Sequence, residues 1–222
     1  MLLLNPNKYT REYPDKESRD IMLKTIEFFE NKGKVKLKND DHERVWYQDF
    51  LDFVKKEEIF AKLLTPKGYG DADSRWDTWR IMGLNEILAF YGLHYWYTWQ
   101  VSILGLGPIW MSKNEDVKKK TAQLLKKGGI FGFGLSEKEH GADLYSTETL
   151  LKVLGDGNYE AKGSKYYIGN GNKASLISIF AKTDKPSNPK DEKYGNYVFF
   201  VVDSKHEKYE CVRNLVNAQS YV

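Results

Sequence analysis

The sequence has little cysteine: Cys211 is the one thiol in 222 residues. A disulfide within the chain is therefore impossible, which excludes a disulfide-stabilised secreted scaffold, and a reducing compartment fits this cysteine usage. The amino terminus also lacks the pattern of a signal peptide, because the apolar residues 1–4 run directly into the polar residues 5–8 without a long hydrophobic core or a cleavage site. We therefore expect a cytoplasmic protein.

An excess of charge of one sign is missing as well. The chain has 34 Lys and Arg against 31 Asp and Glu, a net charge of +3, which is too small and too evenly spread to indicate a nucleic-acid partner. The histidines have no spacing typical of a metal-ligand pair, so we expect no metal site. They are His42, His94, His140 and His206. Aromatic residues are the one excess, at 14%, and flat side chains pack cores but also line pockets for flat cofactors.

One long stretch lacks charge altogether: residues 87–112 contain no Asp, Glu, Lys or Arg. This stretch is long enough to cross a bilayer. However, its aromatic residues lie in the middle of the stretch, whereas membrane spans carry them at the two ends. Pro108 and the neighbouring Gly105 and Gly107 also predict a helix break. We therefore expect a helix buried in a helical bundle, with a membrane span as the alternative.

The period of the apolar residues changes after residue 129. Before it, apolar residues recur every three to four positions, which predicts helices. The predicted helices are one that begins near Ser18 and stops at Gly33, one over residues 45–54 that residues 59–64 extend or follow, one over residues 76–99 and one over residues 116–127.

After residue 129 the pattern is typical of strands. Asp156-Gly157 between two such runs predicts a hairpin over residues 150–162. Further predicted strands are a pair at residues 165–168 and 174–181, then residues 197–202 and, more weakly, 209–212; residues 184–196 form a polar loop. We therefore expect an α+β fold, with an all-helical domain at residues 1–129 followed by a mostly antiparallel β-domain at residues 130–222.

Two segments of the second half carry the most specific motifs. They are FGFGLSEKEHGAD at residues 131–143 and GSKYYIGNGNKA at residues 163–174. As a pair after a helical domain they resemble the signature blocks of the acyl-CoA dehydrogenase family, and most closely its large bacterial long-chain type. Residues 197–204 and 214–219 also look like that type, and the resemblance covers the chain from about residue 83 onward. It implies a β-domain truncated before its last strand.

The resemblance implies an FAD site. In this family the first block would offer the N–H groups of Leu135 and Ser136 and the Ser136 hydroxyl to the polar edge of the flavin. The second block would pack Tyr167 on the ring, with Ile168 and Gly169 beside it. Relatives commonly have Thr or Ser at the position of Gly169. The implied cofactor-binding residues are Phe133, Leu135, Ser136, Tyr167, Ile168 and Gly169.

The resemblance also implies a substrate and partners. Phe133 and Gly134 would line the slot for the acyl thioester, and Ala142 lies in a turn that approaches the coenzyme A part. The implied reaction is FAD-dependent α,β-dehydrogenation of fatty acyl-CoA in β-oxidation, with an electron-transfer flavoprotein as electron acceptor and a homo-oligomer as the complete enzyme.

The resemblance implies that no catalytic residue lies in this chain. The family's catalytic Glu belongs to a carboxy-terminal helical bundle, whereas Glu137 and Glu139 lie in the signature turn. We therefore expect the chain alone to be inactive. The alternatives are a catalytically silent subunit that binds acyl-CoA or a partner, and motif residues that serve only as turn and core residues of a β-domain.

Overall fold

A computed structural model of the protein describes residues 13–184 and 196–215. The described residues form seven α-helices: α1 Lys16–Lys32, α2 Lys34–His42, α3 Gln48–Lys56, α4 Ile59–Leu64, α5 Thr78–Tyr91, α6 Leu93–Met111 and α7 Glu115–Lys126. One sheet follows, with strands β1 Phe131–Gly134, β2 Leu150–Gly155, β3 Asn158–Lys162, β4 Leu176–Thr183 and β5 Tyr197–Asp203. Most of the predicted loop at residues 184–196, and residues 216–219 of the last similar stretch, lie outside the described residues.

The helix ends follow the capping residues of the sequence. The Asp15 carboxylate accepts the Ser18 N–H at 2.7 Å, so α1 begins two residues before Ser18. Gly33, at φ 77°, ends α1 as predicted, and Gly128, at φ 81°, follows α7. The Asn114 side chain caps the start of α7 in the same way as Asp15 caps α1.

Two predictions about this part of the chain were wrong: the single helix over residues 76–99, and the helix break near Pro108. The break lies at Gly92, between α5 and α6, where a Cβ atom would be 2.8 Å from Cε1 of His94, so a side chain here would require the His94 ring to move. Pro108 lies inside α6, only one turn before its end, where the loss of one backbone hydrogen bond is tolerated because α6 packs against its neighbours. Among the described residues, no helix is both long and apolar enough to cross a membrane.

The sheet is mixed, and the α+β class is confirmed. Strand β4 pairs in parallel with β1 and β2 and in antiparallel fashion with β5, in the order β1-β4-β2-β3. The hairpin of β2 and β3 around Asp156-Gly157 is confirmed, with φ values of 50° and 76° at these two residues. The longer pairings are the antiparallel ones: β4 with β5, and β2 with β3.

Two predicted strands are absent from the described sheet. Residues 165–168 form no strand, because Tyr167 and Asn170 take the left-handed conformation (φ 58° and 60°), which no ladder accepts. Residues 209–212 also form none: the Tyr209 hydroxyl instead donates to the Gly171 carbonyl at 2.6 Å. Cys211, expected in that strand, is exposed outside one. The division of the chain into domains at residue 129 stays a prediction.

Helix α6 joins the helical half to the sheet. Tyr95, Trp99 and Leu106 on α6 are fully buried, in one core that also contains Phe131 and Leu176 of the sheet. Among the other aromatic residues, Phe29, Phe50 and Phe60 pack around Tyr95 and Trp99, so part of the aromatic excess serves this core. The approach of α6 to β1 thereby sets the position of the segments that carry the two motifs.

Candidate functional site

The two motif segments lie side by side along β1. The first, the β1 loop (residues 135–143), leaves the carboxyl end of β1. The second, the glycine loop (residues 163–174), runs back along β1 toward its start: Tyr166 N–H donates to the Ser136 carbonyl at 2.9 Å, and Ser175 N–H donates to the Ile130 carbonyl at 2.7 Å. The two sequence blocks, 20 residues apart in the chain, therefore form one surface.

Ser136 binds the glycine loop through both its hydroxyl and its carbonyl. The Ser136 hydroxyl donates to the Tyr166 carbonyl at 2.7 Å, which completes a reciprocal pair with the Tyr166 N–H. The Ser136 N–H donates to no acceptor among the described residues. Its hydroxyl proton, expected to face a flavin, is thus used within the protein, and its N–H remains available to a ligand.

A buried ion pair clamps the two loops together. Lys165 Nζ lies 2.7 Å from Glu137 Oε1, and their side chains are 8% and 6% exposed. Lys165 Nζ also donates to the Leu135 carbonyl at 3.0 Å. The other partners of the Glu137 carboxylate are the Thr147 hydroxyl, the Thr149 hydroxyl and N–H, and the Glu148 N–H. Burial by itself would raise the pKa of Glu137, but these hydrogen bonds outweigh it and hold the pKa well below its usual range.

Asn170 anchors the glycine loop to α6 and β1, and the sequence analysis did not identify it. Its side-chain amide is fully buried and donates to the carbonyls of Thr98 at 3.0 Å and Phe131 at 2.9 Å. Its side-chain oxygen accepts the Thr98 hydroxyl at 2.8 Å. An Asn between two glycines was the available signal, since Asn tolerates the left-handed conformation found here.

The glycine loop presents an aromatic surface. Tyr167 is 69% exposed and packs edge-on against Tyr166, with ring centroids 4.3 Å apart. Beyond it, Gly169 is buried against α6: a Cβ atom there would be 2.7 Å from Val101 Cγ2 and 2.9 Å from the hydroxyl oxygen of Tyr97. Tyr97 is a second side chain at this surface that the sequence analysis missed.

The other residues expected at the site are less closely associated with the glycine loop. Phe133 stacks on Phe199 of β5 with centroids 5.6 Å apart, and Gly134 follows it in β1. Ala142 is exposed, and the hydrogen bonds of its turn are local, such as the one from Leu144 N–H to the Ala142 carbonyl. No described bond ties Ala142 to the glycine loop.

The chemistry of this surface fits a flat ring with hydrogen-bond acceptors on its edge. An uncommitted N–H at Ser136 lies beside a loop whose aromatic face, at Tyr167, is open. Aromatic rings favour stacked or edge-on neighbours, and buried acceptors need donors. A separate cleft, lined by Thr65, Tyr69 and Lys119 among others, involves neither loop.

Sequence comparisons cover the residues of both loops. The family model for the acyl-CoA dehydrogenase middle domain matches residues 132–216, which contain both loops. The short-chain-specific acyl-CoA dehydrogenase of Megasphaera elsdenii is 29% identical over 169 residues, or 75% of this chain and 44% of that protein. Residues 132–216 are thus similar to the middle domain of acyl-CoA dehydrogenases.

Solved structures extend the similarity across both halves of the chain. The butyryl-CoA dehydrogenase of M. elsdenii superposes with a TM-score of 0.72 at 26% identity, over 87% of this chain and 50% of that one. An acyl-CoA dehydrogenase of Bacillus anthracis complexed with FAD gives a TM-score of 0.73 at 20% identity, over 95% and 35%. The chain thus spans about half the length of the M. elsdenii proteins. Membership of the large long-chain type stays a prediction.

Proposed function

We propose that the β1 loop and the glycine loop bind FAD and the acyl thioester, as the flavin-contacting part of an enzyme that dehydrogenates fatty acyl-CoA. The observation that carries this proposal is the open Ser136 N–H beside the exposed ring of Tyr167, within the residues that match the family. The solved relative from B. anthracis, complexed with FAD, supports the choice of cofactor.

Each loop residue has a definite part in this proposal. The N–H groups of Leu135 and Ser136 orient the polar edge of the ring, and the Ser136 hydroxyl acts indirectly by fixing Tyr166. Tyr167, Ile168 and Gly169 cover the ring and exclude water. When bound, FAD supplies an acceptor for the hydride that leaves the β-carbon of the substrate.

The thioester contacts are proposed for the β1 side of the surface. Phe133 and Gly134 line the acyl slot, and Ala142 approaches the coenzyme A part. Fatty acyl-CoA is accordingly the proposed substrate, and an electron-transfer flavoprotein is the proposed electron acceptor.

Glu137 is unsuited to removing the proton from the α-carbon. Its carboxylate is buried and accepts five hydrogen bonds, from Lys165, two threonine hydroxyls and two N–H groups. A group held so firmly in its ionised form is a weak base, because protonation would break these bonds. We therefore assign Glu137 a structural role, and propose no catalytic base among the described residues.

A titration of the 222-residue chain with FAD tests this proposal. Flavin fluorescence should quench on binding, and Tyr167→Ala should weaken binding about two- to tenfold through the lost ring contact. Tyr159→Ala is the matched control, because Tyr159 is similarly exposed, at 61%, but lies on β3. Acyl-CoA added to the flavin-loaded protein should perturb the flavin absorbance. A colourless protein that binds acyl-CoA without FAD would instead support the silent binding subunit.

A further inference from the structure

Helix α6 contributes a polar group to the proposed flavin surface. Tyr97 lies on α6, and its ring and hydroxyl fill the space beside Gly169 where a side chain would otherwise stand, with both Cε1 and the hydroxyl oxygen 2.9 Å from the position of a Cβ atom. Gly169 thus admits the Tyr97 phenol to the glycine loop. Any residue with a side chain at position 169 would displace it.

The Tyr97 hydroxyl has no structural partner among the described residues. No hydrogen bond from it to a described group exists, and burial is the one cause that raises the pKa of the Tyr97 phenol. The other hydroxyls on or beneath this surface are engaged: the Ser136 hydroxyl binds the Tyr166 carbonyl, and the Thr98 hydroxyl, on the same helix as Tyr97, binds Asn170. Tyr97 is a half-buried residue, and its hydroxyl is left to bind water or a ligand.

The glycine loop itself lacks a side-chain donor where Tyr97 meets it. Ile168 and Gly169 carry no polar side-chain atom, and Tyr167 is exposed at 69%. The loop position next to the Tyr97 hydroxyl is therefore apolar except for backbone groups. A ring with acceptor atoms on its edge would need a donor at this point.

We propose that Tyr97 is a cofactor-binding residue whose hydroxyl donates a hydrogen bond to the flavin ring at the Gly169 end of the glycine loop. This inference rests on the proposed function, because it requires flavin at that loop. It adds to the two motif segments a contact from the helical half, so that α6 both anchors the loop through Thr98 and binds the ligand through Tyr97.

Tyr97→Phe tests the proposal because it removes only the hydroxyl. FAD affinity should fall about three- to tenfold, and the visible absorption maximum of the bound flavin should shift relative to the unsubstituted protein. The melting temperature without FAD should not fall, because the hydroxyl has no described partner to lose. Tyr69→Phe is the matched control: the Tyr69 hydroxyl donates to Glu115 at 2.7 Å, and Tyr69 lines the separate cleft. It should leave FAD affinity and the flavin spectrum unchanged.

The outcomes separate this proposal from the proposed function. If the unsubstituted chain binds FAD and Tyr97→Phe binds it equally well with the same spectrum, the Tyr97 contact is wrong and the flavin site stands. If the unsubstituted chain binds no FAD, both fail. A second readout uses protein labelled with ¹³C at the ζ position of tyrosine: the signal that is missing in Tyr97→Phe should shift when FAD is added, and an unmoved signal at saturation would overturn the proposal.

Discussion

At the residue scale, Glu137 is the most heavily bonded polar group of the site. Its substitution by Gln keeps the shape but removes the charge that balances buried Lys165, and removal of one partner of a buried pair costs about 3–5 kcal/mol. We expect Glu137→Gln to lower the free energy of unfolding by about this amount in urea denaturation at pH 7. Glu139→Gln is the control, because Glu139 is 73% exposed beside Lys138 and should change stability by less than about 0.5 kcal/mol.

The lowered pKa of Glu137 also predicts a dependence on pH. A carboxyl group whose pKa is lower in the folded chain than the ordinary value of 4.5 binds protons more readily when unfolded. Its stabilisation is therefore complete above that ordinary pKa and is lost as the pH falls below it. When unfolding is measured from pH 7 to pH 3, the free energy of unfolding should fall less in Glu137→Gln than in the unsubstituted protein. Parallel curves for the two proteins would contradict this assignment.

Asn170 gives a second prediction at this scale. Asn170→Ala leaves the Thr98 and Phe131 carbonyls without their side-chain donor, and each unsatisfied buried group costs about 1–3 kcal/mol. We expect the free energy of unfolding to fall by about 2–5 kcal/mol. Asn172→Ala, in the same loop, should cost far less, since its side-chain oxygen has no described hydrogen-bond partner. Equal losses in the two variants would show that Asn170 is not the anchor.

At the element scale, α6 supports both the core and the site through its contact with β1. A Cβ atom on Gly105 would collide with the Gly132 carbonyl, whereas one on Gly107 would meet nothing within 4 Å. We expect Gly105→Ala to destabilise the protein by about 1–3 kcal/mol, because the helix and strand must separate. Gly107→Ala, two residues along the same helix, should cost less, because its Cβ atom would meet only the neighbouring Pro108 ring and no residue of β1. Thermal unfolding that ranks the two variants in the opposite order would contradict the close approach of α6 to β1.

Some helices and strands could be predicted from the sequence, and others could not. Gly33 and Asp156-Gly157 were sufficient to place a helix end and a hairpin, because their conformational preferences act locally. The helix break at Gly92 was not predicted. Pro108 was given too much weight, because the packing of α6 was unknown. A strand was predicted at residues 165–168, yet this segment is a loop in which Tyr167 takes the left-handed conformation.

At the scale of the whole molecule, the motifs predicted the candidate site but not the contacts that build it. The family resemblance named Ser136 and Tyr167, and the structure brings their loops together. The resemblance did not reveal that the Ser136 hydroxyl is used within the protein. It also did not reveal that Glu137 and Lys165 hold the loops together, or that Tyr97 of the helical half reaches Gly169. These are contacts between residues at least 28 positions apart, which no local pattern records.

We propose that the β1 loop and the glycine loop together form a flavin surface. Amide chemical shifts of the ¹⁵N-labelled chain, recorded during a titration with FAD, test it most directly because they report even weak binding residue by residue. The largest shifts are expected at Ser136 and at Tyr167, Ile168 and Gly169. Largest shifts at the cleft around Tyr69 and Lys119, or no shifts with FAD in large excess, would contradict it.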